Sequence, residues 1–240
     1  VTKLRNLLGR NGADPALILD ADLRPEGRSG PMVRSLESYR KYYGKWSSTW
    51  ESQALLRANH GAGDRDLTTA LLECVDNLRY PADGLTAGQL AEIRKLKARM
   101  ESERIPRGVD PRRHLKLGPG GLSDIEWTAQ VIQLQHAGKE PALRTTSTIE
   151  ALDAALAAGH VDEEQHQELR DSWLAASRLR NVIMVVRGRP SDVIPSDSID
   201  LDVIARALGM GRGASEQLIE DHLRHGRRAS KVVDAVFWNQ

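Results

Sequence analysis

The segment Lys116-Leu-Gly-Pro-Gly-Gly-Leu-Ser-Asp-Ile-Glu-Trp127 constrains this chain more than any other. It runs a glycine-rich turn into a helix expected to reach about His136. Ser123, followed three residues later by Glu126, matches a capping box, which places the helix start there. At helical spacing Leu122, Ile125, Ala129 and Ile132 share one face, and Trp127, Val131 and Leu134 share roughly the opposite one. Gln130 and Gln133 fall near Glu126 as a polar stripe between them. A helix that is apolar on two sides is buried between layers, so this one is expected at the centre of the fold.

The remaining elements follow from caps and breaks. Thr2 to Leu8 reads as a short helix with Leu4, Leu7 and Leu8 on its apolar side, and Asn11 to Pro15 is turn chemistry. Ala16-Leu-Ile-Leu19, running into Asp20-Ala-Asp22, is the one convincing strand. Ser35 is expected to cap a helix through about Tyr43, and Trp46 to Ala58 forms another. Gly61-Ala-Gly-Asp-Arg-Asp66 imitates a nucleotidyltransferase signature. It lies between helical patterns, and is read as a turn with Asp64 or Asp66 at the next helix start. Leu67–Leu78 stops before Pro81. Thr86-x-x-Gln89 caps a charged helix to about Arg104, with Leu90, Ile93, Lys97 and Met100 as its inner row and its charges as a solvated face. Residues 106–113 form a basic connector. Ser147-x-x-Glu150 and Asp162-x-x-Gln165 cap two more helices, the second reaching about Val186. A proline-containing linker precedes helices at 199–209 and 213–238.

The expected fold is mainly α: a helical bundle domain at 59–240, preceded at 1–58 by the remnant of an α/β domain. A strand needs neighbours, and those of Ala16–Asp22 are not evident, so the chain reads as the tail of a longer protein. Lys+Arg 34 against Asp+Glu 33 gives no basic field for nucleic acid. The single Cys74 leaves no internal disulfide framework, which fits a reducing compartment. No apolar run reaches membrane-spanning length, and a soluble, cytoplasmic protein is expected.

Candidate chemistry lies in two places. Asp20 and Asp22 share a strand face and can hold Mg²⁺ or Mn²⁺, although a solvated strand end beside Arg24 accounts for them more simply. Arg24 and Arg28 suit bidentate phosphate binding, or pairing with Glu26, Asp22 or Asp20. In the glycine turn, Lys116 is either a phosphate ligand or an ordinary exposed lysine. Gly118, Gly120 and Gly121 permit close backbone approach. Asp124 and Glu126 stand roughly 200° apart around a helix, so they do not chelate one metal together. Glu126 is read as a cap, and Asp124 as ordering one side of the turn.

Three motifs then occur in order: Asp20-Ala-Asp-Leu-Arg-Pro-Glu-Gly-Arg-Ser-Gly-Pro31, Thr49-Trp-Glu-Ser-Gln-Ala-Leu-Leu-Arg-Ala58 and Lys116-Leu-Gly-Pro-Gly-Gly-Leu-Ser-Asp-Ile-Glu126. Together they resemble the glutamine synthetase adenylyltransferase family over nearly the whole chain. The Gly-Gly-x-x-Asp-Ile segment is shared with the related PII uridylyltransferases. The resemblance implies the end of a nucleotidyltransferase (palm) domain at 1–58, and a helical domain at 59–240. It implies AMP transfer from ATP to a tyrosine of glutamine synthetase, with Mg²⁺ or Mn²⁺, and PII protein as a regulatory partner.

Aligned on Leu23-Arg-Pro25, the family's third metal-binding carboxylate falls on Asp20. Its usual arginine is replaced by Asp22, which puts a phosphate role at position 22 in doubt. Arg24, Lys116, Gly120 and Gly121 become nucleotide- or phosphate-binding candidates, with Asp22, Asp124 and Glu126 supporting them. The family's Gly-Ser-x-x-Asp-x-Asp segment would precede Val1, so the fragment alone is expected to be inactive. Arg178-Leu-Arg-Asn-Val-Ile-Met-Val-Val186 lacks the glutamate typical of the deadenylylating half, which favours the adenylylating one. The alternatives are the phosphorolytic deadenylylating half, or a helical docking module for glutamine synthetase, PII protein or glutamine.

Overall fold

The structure is a computed structural model that describes Thr2–Gly9, Leu17 and Leu19–Asn239. Among these residues it is helical, with no strand beyond an isolated antiparallel bridge between His114 and Val193. The helices are α1 (Thr2–Leu8), α2 (Leu36–Lys45), α3 (Thr49–Leu55), α4 (Arg65–Arg79), α5 (Ala87–Arg104), α6 (Leu122–His136), α7 (Thr148–Ala157), α8 (Glu163–Arg187), α9 (Ser198–Ala207) and α10 (Ser215–Val233). Short 3₁₀ turns cover Gly27–Ser29, Pro111–Arg113 and Pro141–Leu143. A π-helical turn, Asp234–Trp238, extends α10.

Most helix starts are set by a local side chain, as the capping patterns imply. Thr86 and Gln89 form a complete capping box on α5, and Asp162 and Gln165 form another on α8. Ser35 and Ser147 accept the amides of Ser38 and Glu150. Asp64 caps α4 by accepting the Leu67 amide at 2.9 Å, so Gly61–Asp66 is a helix-to-helix turn. Gly188, at φ 65°, closes α8 in the left-handed conformation.

α6 sits at the centre, packed by α3, α7, α8, α10 and the π-turn. Ile125, Ala129 and Ile132 are buried on one face, and Val131 and Leu134 on the other, with Trp127 half-buried. The larger core gathers these around Leu56, Ile93, Leu152, Leu169 and Phe237. A second core holds Leu115, Leu179, Ile183, Ile194, Leu201, Ile204 and Leu218. α8 and α10 run through both cores and pack along each other, so they bind the two into one body.

Three expectations are corrected. Leu17, Leu19, Asp20 and Ala21 are irregular and Asp22 is in a turn rather than a strand, and no neighbouring strand among the described residues is there to pair with them. The rest of that strand, Ala16 and Ile18, and the turn at Asn11–Pro15 lie outside the described residues. The helix expected at Trp46–Ala58 is shorter: Ser48 and Glu51 form a capping box at Thr49, and Trp46 closes α2 instead. Ser123 and Glu126 form no box, because α6 begins at Leu122 behind an extended Gly121. Its first amides are satisfied by the preceding turn, Leu122 N–H donating to Leu115 O at 3.0 Å and Ser123 N–H to Lys116 O at 2.9 Å.

Candidate functional site

Asp20 opens a loop that is closed on itself by Arg24. The Arg24 guanidinium donates to Ala21 O at 2.6 Å, to Gly30 O at 3.1 Å and to Arg28 O at 3.2 Å. This forked donor set spans the loop in the way only a guanidinium can. The exposed Asp20 carboxylate accepts the Asp22 amide through Oδ1 at 2.8 Å. Its Oδ2 accepts no hydrogen bond among the described residues. Asp22 is neutralised by Arg28, Nε to Oδ2 at 2.7 Å, and this contact holds the Arg28 guanidinium even further up than usual. Arg34 pairs with Glu26, whose φ of 63° makes the turn into Gly27–Ser29. Leu23, 72% exposed, lines a cavity of about 240 Å³ with Tyr43, Trp50, Glu51 and Arg57.

The glycine turn is tied down from three directions. Gly120 N–H donates to Asp124 Oδ2 at 2.7 Å, Gly120 O accepts Ser172 Oγ–H at 2.9 Å, and Gly121 N–H donates to Gly118 O at 2.9 Å. A Cβ on Gly120, where φ is +65°, would lie 2.1 Å from Gly226 O of α10. At Gly121 φ is an ordinary −79°, but a Cβ there would stand 2.7 Å from Leu115 O and 2.8 Å from Gly118 O. Both glycines are thus required by backbone packing, and their amides already have partners inside the turn. Lys116 is exposed beside it, and its ammonium makes no hydrogen bond or ion pair among the described residues.

Beneath the turn lies a charged cluster that the sequence did not single out. Lys97, 1% exposed, is ion-paired with Asp124 and with Glu101. Its ammonium also faces the rings of Phe237 at 5.6 Å and Trp238 at 5.8 Å. Burial pushes the Glu101 carboxyl above the usual range, and Lys97 opposes that shift. A cavity of about 270 Å³ opens here, lined among others by Glu101, Asp124, Leu117, Asp234 and Trp238. Lys97 stands in the apolar inner row of α5 with a glutamate one turn on. That is the pattern of a buried, paired lysine, and the available signal was the cation in the wrong row.

A polar seam joins the second and third motifs. Arg57 faces Glu126 at 3.4 Å and donates to Thr146 O at 2.7 Å and Thr148 Oγ1 at 2.8 Å. Gln53 donates to Gln130 at 2.7 Å in a buried contact, and Gln133 donates to the carbonyls of Leu143 and Thr145. Glu126 therefore serves the turn after α3 rather than its own helix end. Among the described residues, no hydrogen bond or ion pair joins Asp20 or Arg24 to Lys116, Asp124 or Glu126.

Two family models divide the chain between them. Residues 1–74 match the one described as glutamate-ammonia ligase adenylyltransferase, and residues 91–238 the one described as GlnD PII-uridylyltransferase. Both descriptions are of nucleotidyltransferases. Curated proteins named bifunctional glutamine synthetase adenylyltransferase/adenylyl-removing enzyme align along essentially all of it. That of Cutibacterium acnes is 86% identical over 240 residues, covering 100% of this chain. That of Streptomyces avermitilis is 53% identical over 238 residues, and that of Mycobacterium tuberculosis strain H37Rv 50% over 235, covering 99% and 98% of this chain. The chain belongs to the glutamine synthetase adenylyltransferase family. It spans 24% of the length of each of these relatives. Among the described residues, no helix is long and apolar enough to cross a membrane.

Proposed function

We propose that this chain is part of an enzyme that transfers AMP from ATP to a tyrosine of glutamine synthetase, and that it belongs to the adenylylating half. The observation that carries this reading is the unbroken similarity to bifunctional glutamine synthetase adenylyltransferases across all 240 residues. In this reading residues 1–58 complete a catalytic domain, residues 59–240 form the helical domain, and α3 is the joint, packed on α4, α5 and α6.

Asp20 is the proposed metal-binding carboxylate. Its exposed oxygen is a hard donor of the kind Mg²⁺ or Mn²⁺ takes, with one or two carboxylates and substrate phosphates completing the shell. The ion, when bound, offsets phosphate charge. The chain's own residues do the positioning: Arg24 holds the loop that presents Asp20, Asp22 fixes Arg28, and Asp124 fixes the glycine turn from which Lys116 projects. Lys116, with its free ammonium, is the proposed phosphate contact. The sequence contains no Gly-Ser-x-x-Asp-x-Asp segment, so these 240 residues supply one carboxylate of a shared set.

A second reading makes the helical part a docking module for glutamine synthetase, PII protein or glutamine. It draws on the match of residues 91–238, which excludes Asp20, to a family named for action on PII. Titration of the chain with Mg-ATP separates the two. Binding that weakens in Asp20→Asn and Lys116→Ala supports the nucleotide site. No ATP binding, with retained binding to glutamine synthetase, supports docking. In an assay of labelled AMP, the chain alone is expected to transfer none to glutamine synthetase; transfer at an enzyme's normal rate would overturn the assignment of Asp20 as one member of a shared carboxylate set.

A further inference from the structure

The ends of α6 and α7 meet at a group of side chains that neither the glycine turn nor the Asp20 loop uses. His136 is the last residue of α6. The turn after it folds back, with the amides of Lys139 and Glu140 both donating to His136 O at 3.0 Å, and this sets Glu140 beside the ring. At the end of α7, Gly159 takes φ +78° and His160 N–H donates to Ala155 O at 2.9 Å, which turns His160 toward α6. The two imidazoles stack with centroids 3.7 Å apart, and His160 Nε2 lies 2.8 Å from Glu140 Oε2. The His136 ring makes no hydrogen bond among the described residues. All three side chains are half-buried.

We propose that His136, Glu140 and His160 form a binding site for a zinc-class divalent cation. One ligating atom from each lies within 4.8 Å of the others. Metal–ligand bonds of about 2.0–2.1 Å place tetrahedral ligands roughly 3.3 Å apart, so binding requires the stacked rings, 17° from parallel, to turn out of their stack until both in-plane lone pairs meet at the ion. Two imidazole nitrogens with one carboxylate select Zn²⁺, Co²⁺ or Ni²⁺ over Mg²⁺ or Ca²⁺, which prefer oxygen throughout. All three ligands are held at the backbone by helix ends, so little ordering remains for the ion to impose.

The site is structural in consequence. It cross-links α6 to α7 at the base of the loop 138–146, whose Thr146 carbonyl Arg57 grips from the turn after α3. Glu140 gives up its hydrogen bond to His160, and water completes the coordination.

The test uses the whole chain, freed of metal with a chelator, and titrated with ZnCl₂ by calorimetry and with CoCl₂ by visible absorption. One equivalent of Zn²⁺ is expected to bind and raise the melting temperature, with the strong d–d bands of a tetrahedral Co²⁺ site and no competition from Mg²⁺. His160→Gln and the conservative, half-exposed Glu140→Gln should each weaken Zn²⁺ roughly tenfold or more, with circular dichroism unchanged, while His222→Gln binds as the parent does. The absence of saturable Zn²⁺ binding, or one equivalent bound undiminished in both His160→Gln and Glu140→Gln, would overturn the site.

Discussion

Replacing Lys97 by Met tests the charged cluster under the glycine turn. Met keeps most of the length of the side chain and removes its charge. The lysine side chain is 1% exposed, between Asp124 at 10% and Glu101 at 32%. Breaking a buried ion pair from one side costs about 3–5 kcal/mol, because the remaining charge is left without compensation. Here the two carboxylates respond differently. Glu101 reaches water and is already pushed upward by burial, so it relieves its charge by taking a proton. Asp124 is nearly sealed and keeps only the Gly120 amide.

The loss therefore falls mainly on Asp124, and the lower end of that range, about 3 kcal/mol, is expected. For a chain of this size it corresponds to a melting temperature lower by roughly 6–12 °C. Urea unfolding at pH 7 of the parent, Lys97→Met, Asp124→Asn and the double variant closes a double-mutant cycle. A coupling of about 1–3 kcal/mol is expected, with the double variant more stable than the sum of the single losses implies. A single-variant loss below about 1 kcal/mol, or a coupling near zero, would refute the account of Lys97 as a buried ion-pair centre.

The backbone approach at the turn gives a second prediction: Gly120→Ala should cost about 2–5 kcal/mol, since left-handed strain adds to a clash with the Gly226 carbonyl, and a melting temperature within 2 °C or so of the parent's would count against the close approach. A third concerns pH. Burial lowers His222, opposed by its hydrogen bond to the Arg112 carbonyl and reinforced by His225 and Arg113. Above about pH 6.5 the ring is neutral in both states and costs nothing; as pH falls below that, the unfolded chain takes the proton first and stability is lost. Urea midpoints between pH 7.5 and about 5.5 should therefore fall less steeply in His222→Gln than in the parent, and equal slopes would refute this.

Sequence patterns located what is local and missed what is distant. The caps at Ser35, Asp64, Thr86, Ser147 and Asp162 are each within a few residues of their partners, so short-range chemistry reveals them. The two-faced burial of α6 was legible from periodicity alone. Ser123 and Glu126 have the spacing of a box, yet carbonyls of the preceding turn reached the helix amides first and Glu126 turned to Arg57. The strand expected through Leu17 and Leu19–Asp22 failed for a related reason: pattern specifies a strand's faces, whereas its hydrogen bonds must come from another segment. Lys97 was placed in the inner row but given no partner, because Asp124, which pairs with it, belongs to a different helix. At the candidate site, the motifs identified the glycine turn, while the seam of Arg57, Gln53 and Gln130 depends on contacts between helices.

The meeting of Gly120 with Gly226, and of Lys97 with Phe237 and Trp238, bears on when the molecule can finish folding. Both contacts tie α5 and the glycine turn to α10 and the π-helical turn that extends it, more than 100 residues further along the chain. During synthesis the α5–α6 region emerges long before the residues that roof it, and a paired lysine remains wet until they arrive. Local helices can form at once, but closure of so long a loop comes late and its entropy is repaid only on docking. A ribosome-bound chain stopped short of α10 should hold α6 with one apolar side uncovered, which makes the nascent protein a substrate for holding chaperones until α10 is released.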